Sequence, residues 1–589
     1  MSRISSVCIR FFAVVSIFAA AASAATFTVN KTADTNDGAC NEDCSLREAV
    51  AAANSSPEAD TIVFDASVFA GPQTITFALG EIIVVNSGGL RIIGPGAIKL
   101  TLDGNSTSRM ISNSAASVLT ISGLTFTRGN GVGATNSNSG GALMNNAGTV
   151  SVFNSVFANN VTTGTAGAIR NSGAGSILNV VNCHFFNNTA GSSAGAIQNF
   201  ATSVLNVSNS SFVGNTSSGA TGGGAMQVNG TANISTSTFS GNNSPGGAGG
   251  GLSVNGTLIN INNVTMVGNT ATTQGGGLHR GSTNVNFFIR NSIIAGNNGI
   301  ATSPDVTNSA GGLASQGNNL IGNVGTSTGW VMSDLQNQNP LVGPLGSNGG
   351  LGRTHALLAG SPAIGAGNPC VIDLSCGTNN PATPIVIDQR GQGFDDSVEI
   401  GAYTINAETP AFLPNAQPGI PYSYQLTGAN TGFTFLTGGT LPPGIDLTTN
   451  GAVTSLAGDP TTPGVYFFTI ATASASQPTQ FVVQPYVISV QTDRNQVGVN
   501  VRITYNGGPP RTRFPAFLSG LDGTSYPSMT STFGNLNFEN VIPGSLYSIQ
   551  ITSKELGTLT GGFIAEGTFT IPDIEIGGQP MRTRTQTKR

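Results

Sequence analysis

Apolar and polar residues alternate in short segments through the middle of the chain: SILNVVNCHF, SVLNVSNSSF, TANISTSTF and TLININNVTM. A period of two places every other side chain on one face, the pattern of a half-buried strand. The segments share a spacing. An aromatic or apolar residue is followed three places later by asparagine at Phe157/Asn160, Phe185/Asn188, Phe212/Asn215, Phe239/Asn242, Met266/Asn269 and Ile294/Asn297, with steps of 28, 27, 27, 27 and 28 residues. A degenerate copy, Phe126, stands 31 residues before Phe157. A second signature, two small residues, a third small residue and an aliphatic one, begins at Gly140, Ala166, Ala194, Gly223, Gly249 and Gly275. Gly, Asn, Ser and Thr fill the intervals. Glycine takes positive φ freely, and asparagine tolerates the left-handed region.

A repeat of this length marks a solenoid. The expected class is all-β: a right-handed parallel β-helix of the pectin-lyase type with one coil per repeat, a helical cap at its N-terminal end, and two small β-sandwich domains after it. With coils about 4.8 Å apart, the anchors from Phe126 to Ile294 would span on the order of 29 Å. The anchors would stack as interior columns. The asparagines would form a side-chain ladder, and the glycine steps would sit where a turn or a close approach excludes Cβ. The competing arrangement, an antiparallel sandwich of hairpins, would show two-residue turns every eight to twelve residues, which a spacing of 27 to 28 fits poorly.

The alternating GGA(I/L) and FxxN tetrapeptides, over residues 120–300, resemble polymorphic outer-membrane-protein repeats of bacterial surface β-helices. That resemblance implies surface display and adhesion. The chain's last residues, MRTRTQTKR, are basic and do not resemble the closing strand of an autotransporter barrel, so self-transport is not expected.

A stacked coil exposes an unpaired sheet edge that invites aggregation unless covered. DCSLREAVAAAN reads as a short helix, with Ser45 as N-cap, Glu48 at the third helical position completing a capping box, and Asn54 at its end. Arg47 and Glu48 are read as serving the helix end rather than a reactive site. The string CSLREA, within residues 37–64, resembles a domain that begins many secreted bacterial β-helix proteins, and the resemblance implies a cap. Segments beginning at 317, 339 and 388 resemble the closing, choice-of-anchor region of such proteins. Beyond 408, LPPG at 441, GDP at 458 and GVYFFTI at 464 resemble the immunoglobulin-like domains of bacterial surface proteins. STFGNLNFENVIPGSLYSIQITSKELG resembles a carboxypeptidase-regulatory-like or collagen-adhesin B-type sandwich. Some members of that class crosslink Lys to Asn beside a catalytic Glu. Lys554, Asn540 and Glu539 are the residues of those types here, but their spacing does not point to the bond. The expected division is 1–24 leader, 25–74 cap, 75–330 β-helix, 331–407 closing segment, 408–491 and 492–577 sandwiches, and 578–589 a basic tail.

Composition adds a compartment. Residues 1–24 read as a secretory leader: Arg3 and Arg10, an apolar run from Phe11 to Ala21, then Ala22-Ser23-Ala24 as a cleavage site. No later run is long and apolar enough for a membrane span. Cys40/Cys44 and Cys370/Cys376 read as two local disulfides of an oxidising compartment. The metal alternative lacks further ligands nearby. Cys183 reads as a small core residue. The destination is therefore extracellular or at the cell surface.

Charge narrows the function. Only 8% of the 589 residues are charged, the net charge is −5, and no basic patch points to nucleic acid. From 104 to 304 there is no Asp, Glu or Lys, and the ionisable side chains are five arginines, His184, His279 and Cys183. Acid–base catalysis needs a positioned proton donor or acceptor. The primary reading is a non-catalytic adhesin or a scaffold touching extracellular polysaccharide, matrix or a neighbouring cell, with no catalytic, cofactor or metal residues. The runner-up is a polysaccharide lyase or glycosidase. Its coils would offer Arg128, Arg170, Arg280 and Arg290 with the two histidines. Its acids would come from Asp373, Asp388, Asp395, Asp396 and Glu399, outside the repeat. A purely architectural surface-layer or matrix component is the third. Calcium is conceivable only through Asp446 and Asp459, which form no carboxylate cluster in sequence.

Overall fold

The structure, a computed structural model, describes residues 24–405 apart from 115, 283–285, 309–310, 349, 359, 378 and 395–397, and then a discontinuous set ending at 576. Residues 1–23 of the expected leader, Asp395, Asp396, Lys554 and the tail 578–589 lie outside the described residues.

The strands wind into a parallel β-helix of about nine turns. A first sheet of eleven strands runs from Thr26–Val29 to Ala314–Ser315. A second, also of eleven, runs from Gln73–Thr76 to Leu335–Gln336. A third of nine runs from Ile82–Val84 to Val306–Asn308, and a fourth of five two-residue strands runs from Val161–Thr162 to Thr270–Ala271. Each full coil visits the first, second, fourth and third sheets in that order. The stretch 25–74 does more than cover an end, since strands Thr26–Val29, Asp60–Phe64 and Gln73–Thr76 belong to the sheets.

Pairing is in register along the anchor column, from Leu102 and Phe126 through Phe157, Phe185, Phe212 and Phe239 to Met266 and Ile294. The five phenylalanine rings stack with centroids 4.7–4.8 Å apart and are all buried. The residue before each repeat asparagine, alternately Asn159, Asn187, Gly214, Gly241, Gly268 and Gly296, has φ between 54° and 71°. Only Gly and Asn enter that left-handed region cheaply, which is why the tetrapeptide reads F-x-(N/G)-N.

The glycine step has two parts. Its first residue, such as Ala194 or Gly223, takes positive φ. Its second lies against the next coil: a Cβ on Gly195 would sit 2.1 Å from the Gly224 carbonyl oxygen, with the same approach at Gly141, Gly167 and Gly224. Gly195→Ala should therefore cost about 3 kcal/mol, the range of overpacking that the backbone must relieve. Gly241→Ala meets nothing within 4 Å and should cost only about 1 kcal/mol for its left-handed φ. Urea denaturation of the two variants checks this; equal losses would contradict the close-approach account.

The helix Leu46–Asn54 closes the N-terminal end. Ser45 accepts from the Glu48 N–H, and the Glu48 carboxylate accepts from the Ser45 N–H, completing the capping box. Burial alone would raise the Glu48 carboxyl, but the N–H groups of Ser45 and Asp37 and the Lys31 charge outweigh it and hold the pKa below its ordinary value. Leu46, Ala49, Val50 and Ala53 pack on the core. The Asn54 side chain donates to the Ile83 carbonyl and accepts from the Val85 N–H, as a neighbouring strand would, and so satisfies the edge of the third sheet. At the other end Leu313, Val324 and Trp330 pack against the core, with the indole N–H donating to Ser327.

The chain then turns back. Residues 340–405 run along the outer face of the second sheet as a strap, with the Cys370–Cys376 disulfide within it and Cys40–Cys44 beside the cap. Leu357, Ala363 and Ile400 cover Ile293, Ala295 and Leu320. Asn209 donates to the Asp388 carbonyl, Thr238 to Gln389, and the Ala402 N–H to Thr265. Farther on, residues 411–490 form a four-stranded and a three-stranded sheet around Leu456, Phe468, Ile470 and Ile488. Residues 497–576 form a second three-plus-four pair. Both fit small β-sandwiches.

Candidate functional surface

The six repeat asparagines make one continuous ladder. The Nδ2 of Asn160 donates to Oδ1 of Asn188, and the bond repeats through Asn215, Asn242, Asn269 and Asn297 at 2.8–2.9 Å. From Asn188 onward each Oδ1 also takes the preceding asparagine's backbone N–H, and Nδ2 also donates to the carbonyl of the anchor one coil back, as Asn215 does to Phe185. Every member is buried. The ladder ends on Asp305, whose Oδ1 accepts from both the N–H and Nδ2 of Asn297 and whose Oδ2 accepts from the Asn323 N–H. Burial raises the Asp305 carboxyl above its ordinary value, and its three hydrogen bonds work against that rise.

A second interior ladder, unread in the sequence, links Asn113, Asn145, Asn171 and Asn199. A column of corner residues accepts backbone N–H groups through Ser155, Ser210, Ser237 and Ser292. Asn319 continues that column and ends on Asp334. Cys183 occupies a serine position in it, buried, with its thiol pushed up to about 12 by burial. Nothing about its reactivity follows; it packs.

Outside, on the first sheet, a third row runs in the opposite sense. Asn260 donates to Asn233, Asn233 to Asn206, Asn206 to Asn179, and Asn179 to the Ser151 hydroxyl, at 2.9–3.0 Å. These side chains alternate with the interior Leu178, Val180, Leu205 and Val207, so they point to the outer face, where Asn206, Asn233 and Asn260 are half-exposed and Ser151 and Asn179 are buried. Ile177, Val204, Thr231 and Leu258 stand beside them, half-exposed and in register. The result is a flat strip of amides and aliphatic groups with no charged side chain between the rows. Such a strip can hydrogen-bond neutral hydroxyls and cover apolar faces.

Among the described residues, the acids proposed for an enzyme, Asp373, Asp388 and Glu399, lie in the strap. Asp388 is buried: its Oδ1 accepts from the N–H groups of Arg390 and Gln392, and its Oδ2 from Arg390 Nε and the Thr404 N–H. Arg390 lies 3.7 Å over the Tyr403 ring. Glu399 is buried and accepts from the Thr404 hydroxyl at 2.6 Å. Asp373 sits in the short helix Cys370–Asp373 beside the disulfide. His184 bonds Ser211 at 2.5 Å and stacks on Phe186, and His279 bonds Thr307 at 2.9 Å. Burial pushes both down to about 4, with the Arg353 charge adding to the effect at His184. Arg128 is paired with Asp103. Arg280 and Arg290 are buried and reach the carbonyls of Gly311 and Asn379.

Arg109, which the sequence reading passed over, is fully buried and ion-paired to Glu81 at 2.8 Å. Its Nη2 donates to the carbonyls of Gly131, Thr135, Asn136 and Ser139. It folds the 128–140 insertion that stretches the first interval of the repeat. Its only sequence signal was an arginine just before the irregular step. Among the described residues no group of three or more His, Cys, Asp and Glu side chains could hold a metal ion. Asp446 and Asp459 are exposed in the first sandwich. No helix among the described residues is long and apolar enough to cross a membrane.

Fold and surface together define a parallel β-helix with laddered amides inside and out and a strap along one flank. No known family profile matches the chain, and no curated protein matches it. Two solved structures, both of BcpA, the major pilin subunit of Bacillus cereus, one a variant, are similar over part of it at 10% identity and a TM-score of 0.11. The matches cover 28% and 26% of this chain and 66% and 55% of the pilins, less than two thirds of their length.

Proposed function

We propose that the protein is a secreted or surface-displayed, non-catalytic β-helix that contacts extracellular glycan or matrix along its coils. The observation that carries this reading is the outward amide row Asn206, Asn233 and Asn260, flanked by half-exposed aliphatic side chains and free of charge. Hydroxyl-rich polymers are recognised by neutral donors and acceptors at repeated positions, and each residue of this row presents both. Two further features support it. The buried acids of the strap are consumed in holding turns, and the two local disulfides suit an oxidising compartment.

The test is binding of the purified protein to a panel of neutral and acidic polysaccharides, with Asn206→Glu/Asn233→Glu placing like charges on the strip. Wild-type binding and its loss in the double variant are expected, with the denaturation midpoint of the interior little changed. Equal binding by both proteins would defeat the strip as the contact surface. Release of unsaturated sugar product would favour the lyase reading instead.

A further inference from the structure

The central 201 residues, 104–304, carry five arginines and no acid, a net +5 within a chain of net −5. Arg109 and Arg128 find their counter-charges just upstream, in Glu81 and Asp103. Arg170 does not. It stands on the outer face of the third sheet, in register with Met144 and Gln198. Its guanidinium lies 4.1 Å over the Phe200 ring, and its Nη1 donates to the hydroxyls of Ser139 at 3.0 Å and Thr165 at 3.2 Å. Its Nε is buried without a partner, and no carboxylate pairs with it among the described residues. Burial and the nearby Arg109 charge both press on the cation. A half-buried guanidinium keeps its charge, and one left with spare donors in a site without acids is an electrostatic seat for an anion. The Phe200 ring against the guanidinium restricts how it can turn.

We infer that Arg170, held by Phe200, Ser139 and Thr165, binds the acidic group of an anionic glycan, the carboxylate of a uronate or a sulfate ester. The inference rests on the glycan-contacting reading and names its ligand class.

The experiment measures binding of the full chain to polygalacturonate, to its methyl-esterified form, to dextran sulfate and to neutral dextran, at low and moderate salt. Polygalacturonate, dextran sulfate or both should bind at least tenfold more tightly than neutral dextran, and esterification should remove the uronate advantage. The pattern identifies which acid is preferred. Arg170→Gln should lose that advantage, and Arg170→Lys should keep part of it. Phe200→Leu, which removes the stacking face alone, should weaken it with the denaturation midpoint unchanged. Acidic polymers bound no better than neutral dextran, or bound equally by Arg170→Gln, would overturn this inference while leaving the neutral strip standing. No glycan bound at all would remove both.

Discussion

Asn215→Asp is expected to abolish cooperative folding of the β-helix. Asn215 Nδ2 donates to Asn242 Oδ1 at 2.9 Å and to the Phe185 carbonyl at 3.1 Å, and its own Oδ1 accepts the N–H and Nδ2 of Asn188. A carboxylate preserves the accepting half. It turns the donating half into two acceptor–acceptor contacts around a charge that is 0% exposed. Orphaned buried acceptors cost about 1–3 kcal/mol each and an unpaired buried charge more. The total, on the order of 5 kcal/mol, rivals the whole stability of many domains. Asn206→Asp, in the half-exposed outer row, removes a similar bond where water can replace it and should cost under about 1 kcal/mol. Circular dichroism and urea titration compare the two. A folded Asn215→Asp protein with a near-native midpoint would mean that the interior ladder does not hold the coils together.

The second large effect is acid sensitivity in a protein with few charges. His184 and His279 have folded pKa values near 4 because burial disfavours the imidazolium. Unfolded histidine titrates near 6.5, so between pH 6.5 and 4 the unfolded chain binds more protons and stability falls as pH falls. Two such groups remove on the order of 5 kcal/mol by pH 4.5. His355 of the strap, between Ser240 of the second sheet and the Gly343 carbonyl, is shifted down by burial and adds in the same direction. Glu48, held low, adds its loss only at still lower pH. Asp305 opposes them, since its raised value means that protonation relieves a buried charge. A urea midpoint that drops steeply from pH 7 to pH 4.5, and far less in His184→Gln/His279→Gln, is the expected result. A flat profile in the parent protein would contradict the burial of both rings.

Much of the interior was legible because a solenoid repeats its constraints. The same φ, the same neighbour and the same missing Cβ recur every coil, so Phe185, Asn188 and Gly195 each appear several times in sequence. What occurs once left little trace. The Arg109 clamp is one residue meeting one insertion. The second asparagine ladder stood in plain sight at Asn145, Asn171 and Asn199, but asparagine at the end of an apolar strand reads as the start of a turn. The outer row at Asn179, Asn206, Asn233 and Asn260 matched a polar strand face, and alternation alone does not show that its amides bond to one another. The strap along the second sheet depends on partners more than a hundred residues apart, such as Thr238 with Gln389, and no local period records them.

Asp305 gives the interior ladder a punctuation mark. An amide both receives from one neighbour and gives to the next, so it can hand the bond onward without limit; a carboxylate only receives. Inserting another 27-residue unit anywhere before Asp305 would leave a longer rod that still knows where to stop. Placing the unit after it would ask a terminator to behave as a link. Where this ladder stops is thus written in the position of one acid, as the corner column's stop is written in Asp334.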